Sequence, residues 1–373
     1  MELLSEMPVL YVPRPGRLTA LVRSRLRSPD IERSTVRTIL ATDYGLQLSG
    51  SPDNLPNARR NRNLIVETGR ERMVFKLYRD DWQRETIDFE HAILRRLAEL
   101  DYPAPRLVPT QDGRTWVARD SQRYALFEFI DGVNYSSSYL LRPHRLRLMA
   151  LLGQILAELH RRLAGFQPAG RHHLGFTGYD TPRQRDLAWH VAMVADLKAR
   201  SAELIDPEAM AQAAWLTERS DALLEELARL DDVLTRAALP RVVIHGDYGL
   251  HNLVVQRLGQ GTAVDFELAR LEWRLSDLAS CLSKMRTDGG GYDFESMCWF
   301  MRAYRAVFPI DAEEWQHFPA VLKYYRLMGA VQYWKSYFET NGPARKLASA
   351  RDSLEQAAWA TEHPHEITEL GRI

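Results

Sequence analysis

The sequence predicts an α+β fold in two lobes, a small β-sheet lobe followed by a larger, mainly helical lobe. Three observations lead to this class. Runs with strand periodicity fall mainly within 63–130, most of the later chain has apolar residues at helical spacing, and a group of short strands at 241–267 interrupts the helical part. We predict an N-terminal extension over 1–35, a first lobe over 36–131 and a second lobe over 132–373.

The first lobe is predicted to hold a small sheet and one long helix. After a short helix from Thr35, the strands and the helix follow in chain order: strands 63–67 and 72–78 joined by a turn, a helix over 83–100, and strands 115–118 and 124–130. Lys76 lies on the second of these strands, on the same face as Val74 and Tyr78 by the period of two.

The second lobe is predicted to be a set of helices around three short strands. Apolar spacing places helices at 145–163, 207–238, 275–285, 294–307, 319–338 and 344–361. The strands are 242–244, 253–255 and 263–264. No internal repeat or low-complexity tract is present.

Composition excludes several classes of protein. The 373 residues carry 49 basic and 49 acidic side chains, which argues against a nucleic-acid-binding protein. The two cysteines, Cys281 and Cys298, allow neither a disulfide framework nor a cysteine zinc site, so we expect a reducing compartment. No run of about 18 apolar residues and no signal-peptide pattern occurs, which predicts a cytoplasmic protein without membrane contact. The seven arginines within 14–37 favour a solvated arm over a contact with an acidic surface.

Lysine usage singles out one residue. The chain has six lysines against 43 arginines, and Lys76 is the only lysine before residue 198. Lysine and arginine are not equivalent where a compact ammonium must enter a narrow site. Lys76 is therefore a candidate binding residue.

The strands at 241–267 carry the candidate chemistry. An apolar strand leads to Asp247, Asn252 follows five residues later, and Asp265 ends the returning strand. Carboxylate and carboxamide oxygens suit a hard cation, above all Mg²⁺ shared with phosphates. Such a set, with Lys76 as a donor cation, is what phosphoryl transfer needs.

These residues resemble a known family. His245-Gly-Asp247 with Asn252 matches the His-Gly-Asp-x-x-x-x-Asn motif of the aminoglycoside phosphotransferase and choline kinase superfamily, small-molecule kinases with a bilobal protein-kinase-like fold. Asp265 matches the metal-binding aspartate of that family, and 274–279 resembles the segment that follows it. The resemblance implies a catalytic base at Asp247, Mg²⁺ ligands at Asn252 and Asp265, and a phosphate contact at Lys76.

The resemblance also implies the surroundings of the nucleotide. Glu90 on the long helix would hold Lys76, and the backbone of Glu128, Phe129 and Ile130 would bind adenine beside Leu126 or Phe127. The chain departs from the kinase pattern by having no Gly-x-Gly-x-x-Gly, so the candidate phosphate loop is Ser51 to Asn63, with Arg59, Arg60, Arg62 and Asn63. This leaves ATP and GTP both open as donor.

Four further residues receive expected roles. Glu267 stands where a kinase has glycine; the strand period puts it beside Asp265, as a ligand of a second Mg²⁺ or a partner for a substrate ammonium. His245 is expected to brace its loop, and His251 and His160 are expected to be structural.

Two features bear on the acceptor. Nine acidic residues lie within 203–232, and six aromatic residues lie within 324–338. We favour a polar helix face and a helix core, respectively, over a rim for a cationic substrate and an aromatic cage.

The predicted function is a kinase that transfers the γ-phosphate of ATP or GTP, with Mg²⁺, to a hydroxyl of a small molecule: an amino-alcohol, a sugar, an amino-sugar or a natural product. Aminoglycoside resistance is one branch of this prediction. A nucleotide-binding pseudokinase or scaffold is the alternative of another class, and the intact set of catalytic residues counts against it. A protein kinase is disfavoured because Gly246 stands where that class has arginine. The oligomeric state is not predicted.

Overall fold

The structure is a computed structural model that describes residues 12–13, 33–54, 62–69, 71–78, 82–136, 138–170, 186–257, 260–287, 291–340 and 342–371. Of the predicted N-terminal arm, only Val12–Pro13 and residues from 33 onward are among them, and residues 55–61 of the predicted phosphate loop lie outside them. Among the described helices, none combines the length and the apolar character needed to cross a membrane.

The strands are short, and every pairing among the described strands is antiparallel. In chain order they are β1 (Val12–Pro13), β2 (Asp53–Asn54), β3 (Arg62–Thr68), β4 (Glu71–Leu77), β5 (Leu107–Val108), β6 (Val117–Arg119), β7 (Gln122–Glu128), β8 (Ser138–Tyr139), β9 (Arg241–Ile244), β10 (Leu253–Arg257), β11 (Gln260–Ala263) and β12 (Arg270–Trp273).

The helices make up most of the second half of the chain. They are α1 (Arg33–Ile39), α2 (Arg84–Glu99), α3 (Arg142–Arg162), α4 (Leu187–Ser201), α5 (Pro207–Arg236), α6 (Arg274–Leu282), α7 (Phe294–Val307), α8 (Ala312–Trp315), α9 (Phe318–Glu339), α10 (Arg345–Glu362) and α11 (Pro364–Glu369). The predicted helices agree with these within a few residues.

The chain divides into two compact units. The first unit spans Met1–Leu151, Gln167–Arg171 and Leu250–Glu267, and the second spans Leu152–Phe166, His172–Gly249 and Leu268–Ile373.

The first unit is built on an antiparallel sheet in the order β2-β3-β4-β7-β5, with β6 beside β7. Because side chains alternate along a strand, each strand presents two different faces. One face packs its apolar residues, Phe75 and Leu126 among them, against the first helix and the turn that follows it. The other face carries Lys76. The hairpin of β10 and β11 also belongs to this unit.

The second unit is helical, with one small sheet. Strand β9 pairs with β12, and helix α6 starts directly after β12. The long helix α9 packs against α10, α6 and α5. Neither α4 nor β12 was predicted from the sequence. Helix α4 begins with Asp186, whose side chain accepts a hydrogen bond from the N–H of Trp189, a capping signal that sequence analysis overlooked.

Candidate active site

Lys76 lies in the middle of the sheet of the first unit. Strand β4 pairs with β3 and β7, which places Asn63 and Ala125 directly opposite Lys76 on the two neighbouring strands. The Lys76 side chain is only 6% exposed, and its Nζ lies 2.9 Å from Oε1 of Glu90 on α2. Sequence analysis predicted this ion pair, and the structure confirms the contact.

Three carboxylates keep the buried ammonium charged. A buried charge is costly unless it is paired. Burial alone would lower the pKa of Lys76, but Glu90, Glu267 and Asp265 together raise it above the ordinary lysine value. The Nζ also lies 3.9 Å from a Glu267 oxygen, and 4.8 Å from the centre of the Tyr78 ring. Lys76 is therefore a fixed positive charge.

A chain of hydrogen bonds fixes Glu90 from behind. The Tyr78 hydroxyl lies 3.0 Å from Oε2 of Glu90 and 2.9 Å from Nε2 of His91, and Nδ1 of His91 lies 2.8 Å from the Thr115 hydroxyl. Burial, and then Lys76, lower the pKa of His91 well below its usual value, so the imidazole is neutral. With the proton on Nε2, His91 donates to Tyr78, and Tyr78 donates to Glu90. Sequence analysis missed both Tyr78 and His91, because a tyrosine and a histidine in a core give no motif.

Asn63 presents an unused acceptor on the face of Lys76. Residues directly opposite each other on neighbouring strands point to the same side of the sheet. The Oδ1 atom of Asn63 is buried and has no hydrogen-bond partner among the described residues. A buried polar atom of this kind is suited to a ligand donor.

The strand that leads out of the sheet carries the predicted adenine contacts. Phe127 lies on the Lys76 face, with its ring centre 5.8 Å from the Lys76 Nζ, whereas Leu126 belongs to the core on the opposite face. The Glu128 N–H donates to the carbonyl of Arg106, and the Glu128 side chain is exposed. Ile130 is half-buried. Of the two residues predicted to shape the pocket, Phe127 is therefore the one on the correct side.

The β10–β11 hairpin carries the predicted metal ligands. Asn252 is buried at the start of β10, and its carbonyl accepts a hydrogen bond from the N–H of Val264, which directly precedes Asp265. The Nδ2 atom of Asn134, which carries two N–H donors, lies 2.9–3.2 Å from three carbonyl oxygens of this segment and so holds its shape. Asn134 was not predicted.

The oxygen donors of this hairpin fit Mg²⁺. Asn252, Asp265 and Glu267 offer only hard oxygen ligands. No group of three or more histidine, cysteine, aspartate or glutamate side chains suited to a metal occurs in the described part of the chain. Mg²⁺ usually takes one or two protein carboxylates and completes its shell with phosphate and water, and the metal role of Asn252, Asp265 and Glu267 stays a prediction.

The prediction that Glu267 continues the strand of Asp265 and lies on the same side was wrong. Strand β11 ends at Ala263, Asp265 has a left-handed φ of 68°, and Glu267 lies in a short 3₁₀ turn. The period of two therefore does not apply beyond Ala263. Glu267 is buried and contacts Lys76 instead, because the turn directs it back toward β4.

The loop that carries Asp247 lies in the second unit and is held by Asp277. The Asp277 carboxylate accepts the N–H of His245 at 2.6 Å and that of Gly246 at 2.8 Å. His160 contacts the same carboxylate at 3.1 Å and the Tyr304 hydroxyl at 2.8 Å. These contacts confirm the structural role predicted for His160. For His245 the contact with Asp277 is made by the backbone N–H, and the bracing role predicted for its side chain stays a prediction.

Gly246 allows the tight turn before Asp247. Its φ of 84° lies in the left-handed region, where side chains are strained. A Cβ atom there would lie 2.1 Å from the carbonyl oxygen of Leu268. No other residue fits this position without movement of the backbone.

Asp247 has an unpredicted neighbour, Lys284. The Lys284 Nζ lies 2.8 Å from Oδ1 of Asp247 and 3.1 Å from the carbonyl oxygen of Tyr248. The two side chains are 36% and 34% exposed, respectively. Burial is the largest effect and would lower the pKa of Lys284, but Asp247, Tyr325 and Cys281 together raise the pKa above the ordinary lysine value, so Lys284 is cationic at neutral pH. Lys284 lies five residues after the segment 274–279, which resembles the family, and belongs to no motif.

The two predicted acceptor features are structural in large part. Several acids of 203–232 form ion pairs within the second unit, including Glu226 with Lys323 and Asp221 with Lys198. On α9, Tyr324 and Trp334 are buried, and Tyr333 is exposed. The polar-face and core interpretations are therefore supported.

Comparison with known proteins identifies the family. The model of the phosphotransferase enzyme family matches residues 54–299. The chain belongs to the phosphotransferase enzyme family. It is a small-molecule kinase, and the prediction of phosphoryl transfer from a nucleoside triphosphate to a hydroxyl group is confirmed at this level.

Individual relatives are distant but cover most of the chain. The chain is 25% identical to the homoserine kinase of Hyphomonas neptunium, over 81% of this chain and 86% of that protein. Its fold is similar to that of a microcompartment-associated aminopropanol kinase, with a TM-score of 0.61, 22% identity and coverage of 91% and 98% of the two chains. A spectinomycin phosphotransferase gives a TM-score of 0.59 at 15% identity, over 92% and 98%. These structures confirm the predicted protein-kinase-like α+β fold.

Proposed function

We propose that this enzyme transfers the γ-phosphate of ATP to the hydroxyl of a small acceptor that also bears an amino group. The observation that carries the proposal is the intact set of charged groups, with a buried Lys76–Glu90 pair in one unit and a partly exposed Asp247 carboxylate in the other. A protein that only binds nucleotide has no need of the carboxylate.

The first unit is proposed to bind the nucleotide. Lys76 contacts the α and β phosphates, and Asn63 offers its buried oxygen to a donor of the nucleotide. The backbone of Glu128 and Ile130 contacts adenine. Because the Lys76 ammonium is fixed by three carboxylates, it needs little rearrangement when the phosphates arrive.

The hairpin of the first unit is proposed to hold Mg²⁺. Asn252 and Asp265 are the ligands, and Glu267 contributes at the same site or through water. Bound Mg²⁺ neutralises charge on the β and γ phosphates. The chain's own part is to fix these oxygens, which the Asn134 amide does through the backbone beside Asn252.

Asp247 is proposed to orient the acceptor and to accept its proton. A general base must lie within hydrogen-bond reach of the attacking hydroxyl, at about 2.6–3.2 Å. The Asp277 carboxylate fixes the backbone on which Asp247 is mounted. Asp247 therefore meets the acceptor in a defined direction.

The amino group of the acceptor is proposed from the relatives. Homoserine and aminopropanol both combine a hydroxyl with an amino group on a short chain, and proteins named for these acceptors resemble this chain in sequence and in fold, respectively. The spectinomycin enzyme shares the fold alone.

A coupled assay of ADP release tests the proposal. The panel contains amino alcohols, hydroxy amino acids, sugars and aminoglycosides, each with ATP and Mg²⁺. We expect acceptor-dependent ADP release and a phosphate ester by ³¹P NMR with a member of the first two groups. Turnover with sugars alone would contradict the amino group of the proposed acceptor, and turnover with aminoglycosides alone would contradict its small size.

A further inference from the structure

Lys284 has no role in the proposed transfer, yet it touches the proposed base. Lys76 already serves the nucleotide, and Asp247 serves the hydroxyl. An ammonium at 2.8 Å from Asp247 occupies one oxygen of the carboxylate that the acceptor must approach. Such a contact calls for an explanation in terms of the acceptor.

The geometry leaves Lys284 able to bind a second group. An ammonium has three N–H donors. Among the described residues, Asp247 and the Tyr248 carbonyl accept two of them. The side chain is about one-third exposed, so the third donor can meet a ligand that arrives at the base.

The other side chains near Lys284 and Asp247 leave one positive and one negative charge at this position. Tyr325 and Cys281 are the further side chains that act on Lys284, and the Tyr325 hydroxyl donates to the Ser280 hydroxyl. Arg270 interacts electrostatically with Asp247, but Arg270 is buried, and its Nε lies 3.9 Å from a carboxylate oxygen of Glu272. The partly exposed groups are therefore one carboxylate and one ammonium, in contact.

A ligand complementary to this pair carries a hydroxyl and an anion. The hydroxyl donates to Asp247, and the anion accepts from Lys284 and replaces part of the ion pair. A cationic amino alcohol has no anion to accept from Lys284, and its net positive charge is repelled by Lys284, at a cost that depends on solvent screening. Specificity of this kind combines an attractive and a repulsive element.

We propose that Lys284 is a specificity-determining residue that selects acceptors with a carboxylate, so that this enzyme phosphorylates a small hydroxy amino acid in preference to the corresponding amino alcohol. This inference rests on the proposed function and narrows its acceptor class. The relatives include proteins named for acceptors of both kinds, and the contact of Lys284 with Asp247 is the observation by which we choose between them.

Two pairs of acceptors isolate the carboxylate. Homoserine and 3-aminopropanol differ only by this group, as do serine and ethanolamine. For wild-type enzyme we expect kcat/KM at least about tenfold higher for the carboxylate member of the pair that is turned over, the scale of one hydrogen bond to a charged group.

Substitution of Lys284 tests whether this residue binds the carboxylate of the acceptor. In Lys284→Met we expect the ratio of kcat/KM within a pair to fall by about tenfold, through a higher KM for the carboxylate member. The ratio cancels any effect on Asp247 that both acceptors share. Lys284→Arg, which keeps the charge, should retain part of the preference.

Lys198→Met is the matched control, because Lys198 is equally exposed and also pairs with an aspartate, Asp221, which has no proposed role in the transfer. It should leave the ratio unchanged. Thermal melting and ATP affinity close to those of wild type show that each variant is folded.

Two results with these pairs would overturn the inference. One is a wild-type preference for the amino alcohols, and the other is an unchanged ratio in Lys284→Met, including an equal loss for both members of a pair. In each case turnover of an amino-bearing acceptor leaves the proposed function standing. Turnover of other amino-bearing acceptors in the wider panel but of none of these four overturns the inference alone, and turnover of no amino-bearing acceptor contradicts both.

Discussion

At the scale of single residues, the environment of Lys76 decides which substitutions the site tolerates. The ammonium lies between Glu90 and Glu267, with the Tyr78 ring beside it. Lys76→Arg keeps the charge, but its planar guanidinium is broader than an ammonium. We expect kcat/KM for ATP to fall about 10²-fold or more, about 2.7 kcal/mol, nearly as far as in Lys76→Ala. Rates near wild type for the arginine variant would show that any cation is sufficient.

Tyr78 is expected to matter although it touches neither phosphate nor acceptor. Tyr78→Phe removes the hydrogen bond that holds Glu90, so Glu90 becomes free to leave Lys76. We predict a loss of roughly 5- to 10-fold in kcat/KM for ATP, the worth of one charge-assisted hydrogen bond. Steady-state kinetics with Tyr124→Phe as control measures this, because Tyr124 packs in the core on the opposite face of the sheet and its hydroxyl donates to the side chain of Gln122 on the same strand. Equal effects of the two substitutions would argue against a positioning role.

At the scale of elements, the turn before Asp247 is the most constrained. Gly246→Ala introduces both a strained φ and a contact of 2.1 Å with the Leu268 carbonyl, whereas Gly113→Ala, at a φ of 81°, meets nothing within 4 Å. We expect Gly113→Ala to cost about 1 kcal/mol and Gly246→Ala about 2–4 kcal/mol, with most activity lost. Urea unfolding of both variants compares them directly, and equal costs would show that the backbone shifts freely at Gly246.

Sequence periodicity predicted the strands and helices whose apolar residues repeat regularly along the chain. Strands β3, β4 and β7 alternate clearly, and α2 has a continuous apolar stripe, so Lys76 and Glu90 were placed correctly. Strand β12 was missed because both its charged residues, Arg270 and Glu272, are buried, which removes the apolar signal.

Contacts between distant parts of the chain were beyond prediction. Lys284 meets Asp247 across 37 positions, and only the packing of β9 and α6 brings them together. The turn at Glu267 depends on the same kind of tertiary contact, with Lys76. The predicted lobe boundaries and the roles of the site residues stay predictions.

At the scale of the whole molecule, a buried neutral histidine links stability to pH. The pKa of His91 is well below 6.5 in the folded protein, because of burial and of Lys76. Below about pH 6.5, His91 binds a proton in the unfolded chain but stays neutral in the folded chain. The free energy of unfolding therefore falls by up to about 1.4 kcal/mol for each pH unit by which the pH is lowered. Above that pH the effect vanishes.

His91→Gln tests this linkage, since an amide can replace both hydrogen bonds without titrating. Urea unfolding at about pH 7.5 and about pH 5.5 should show a smaller loss of stability in the variant than in wild type. Equal losses would mean that His91 is protonated in the folded protein.

The most direct test of the proposed function concerns Asp247, because this residue is proposed to act on the acceptor and not on the nucleotide. For Asp247→Asn, ATP affinity is measured by titration and phosphoryl transfer by single-turnover kinetics with the best acceptor. We predict that ATP affinity changes by less than about tenfold while the rate of transfer falls by about 10²-fold or more. Loss of ATP affinity together with the rate would place Asp247 at the metal and contradict its assignment as the base.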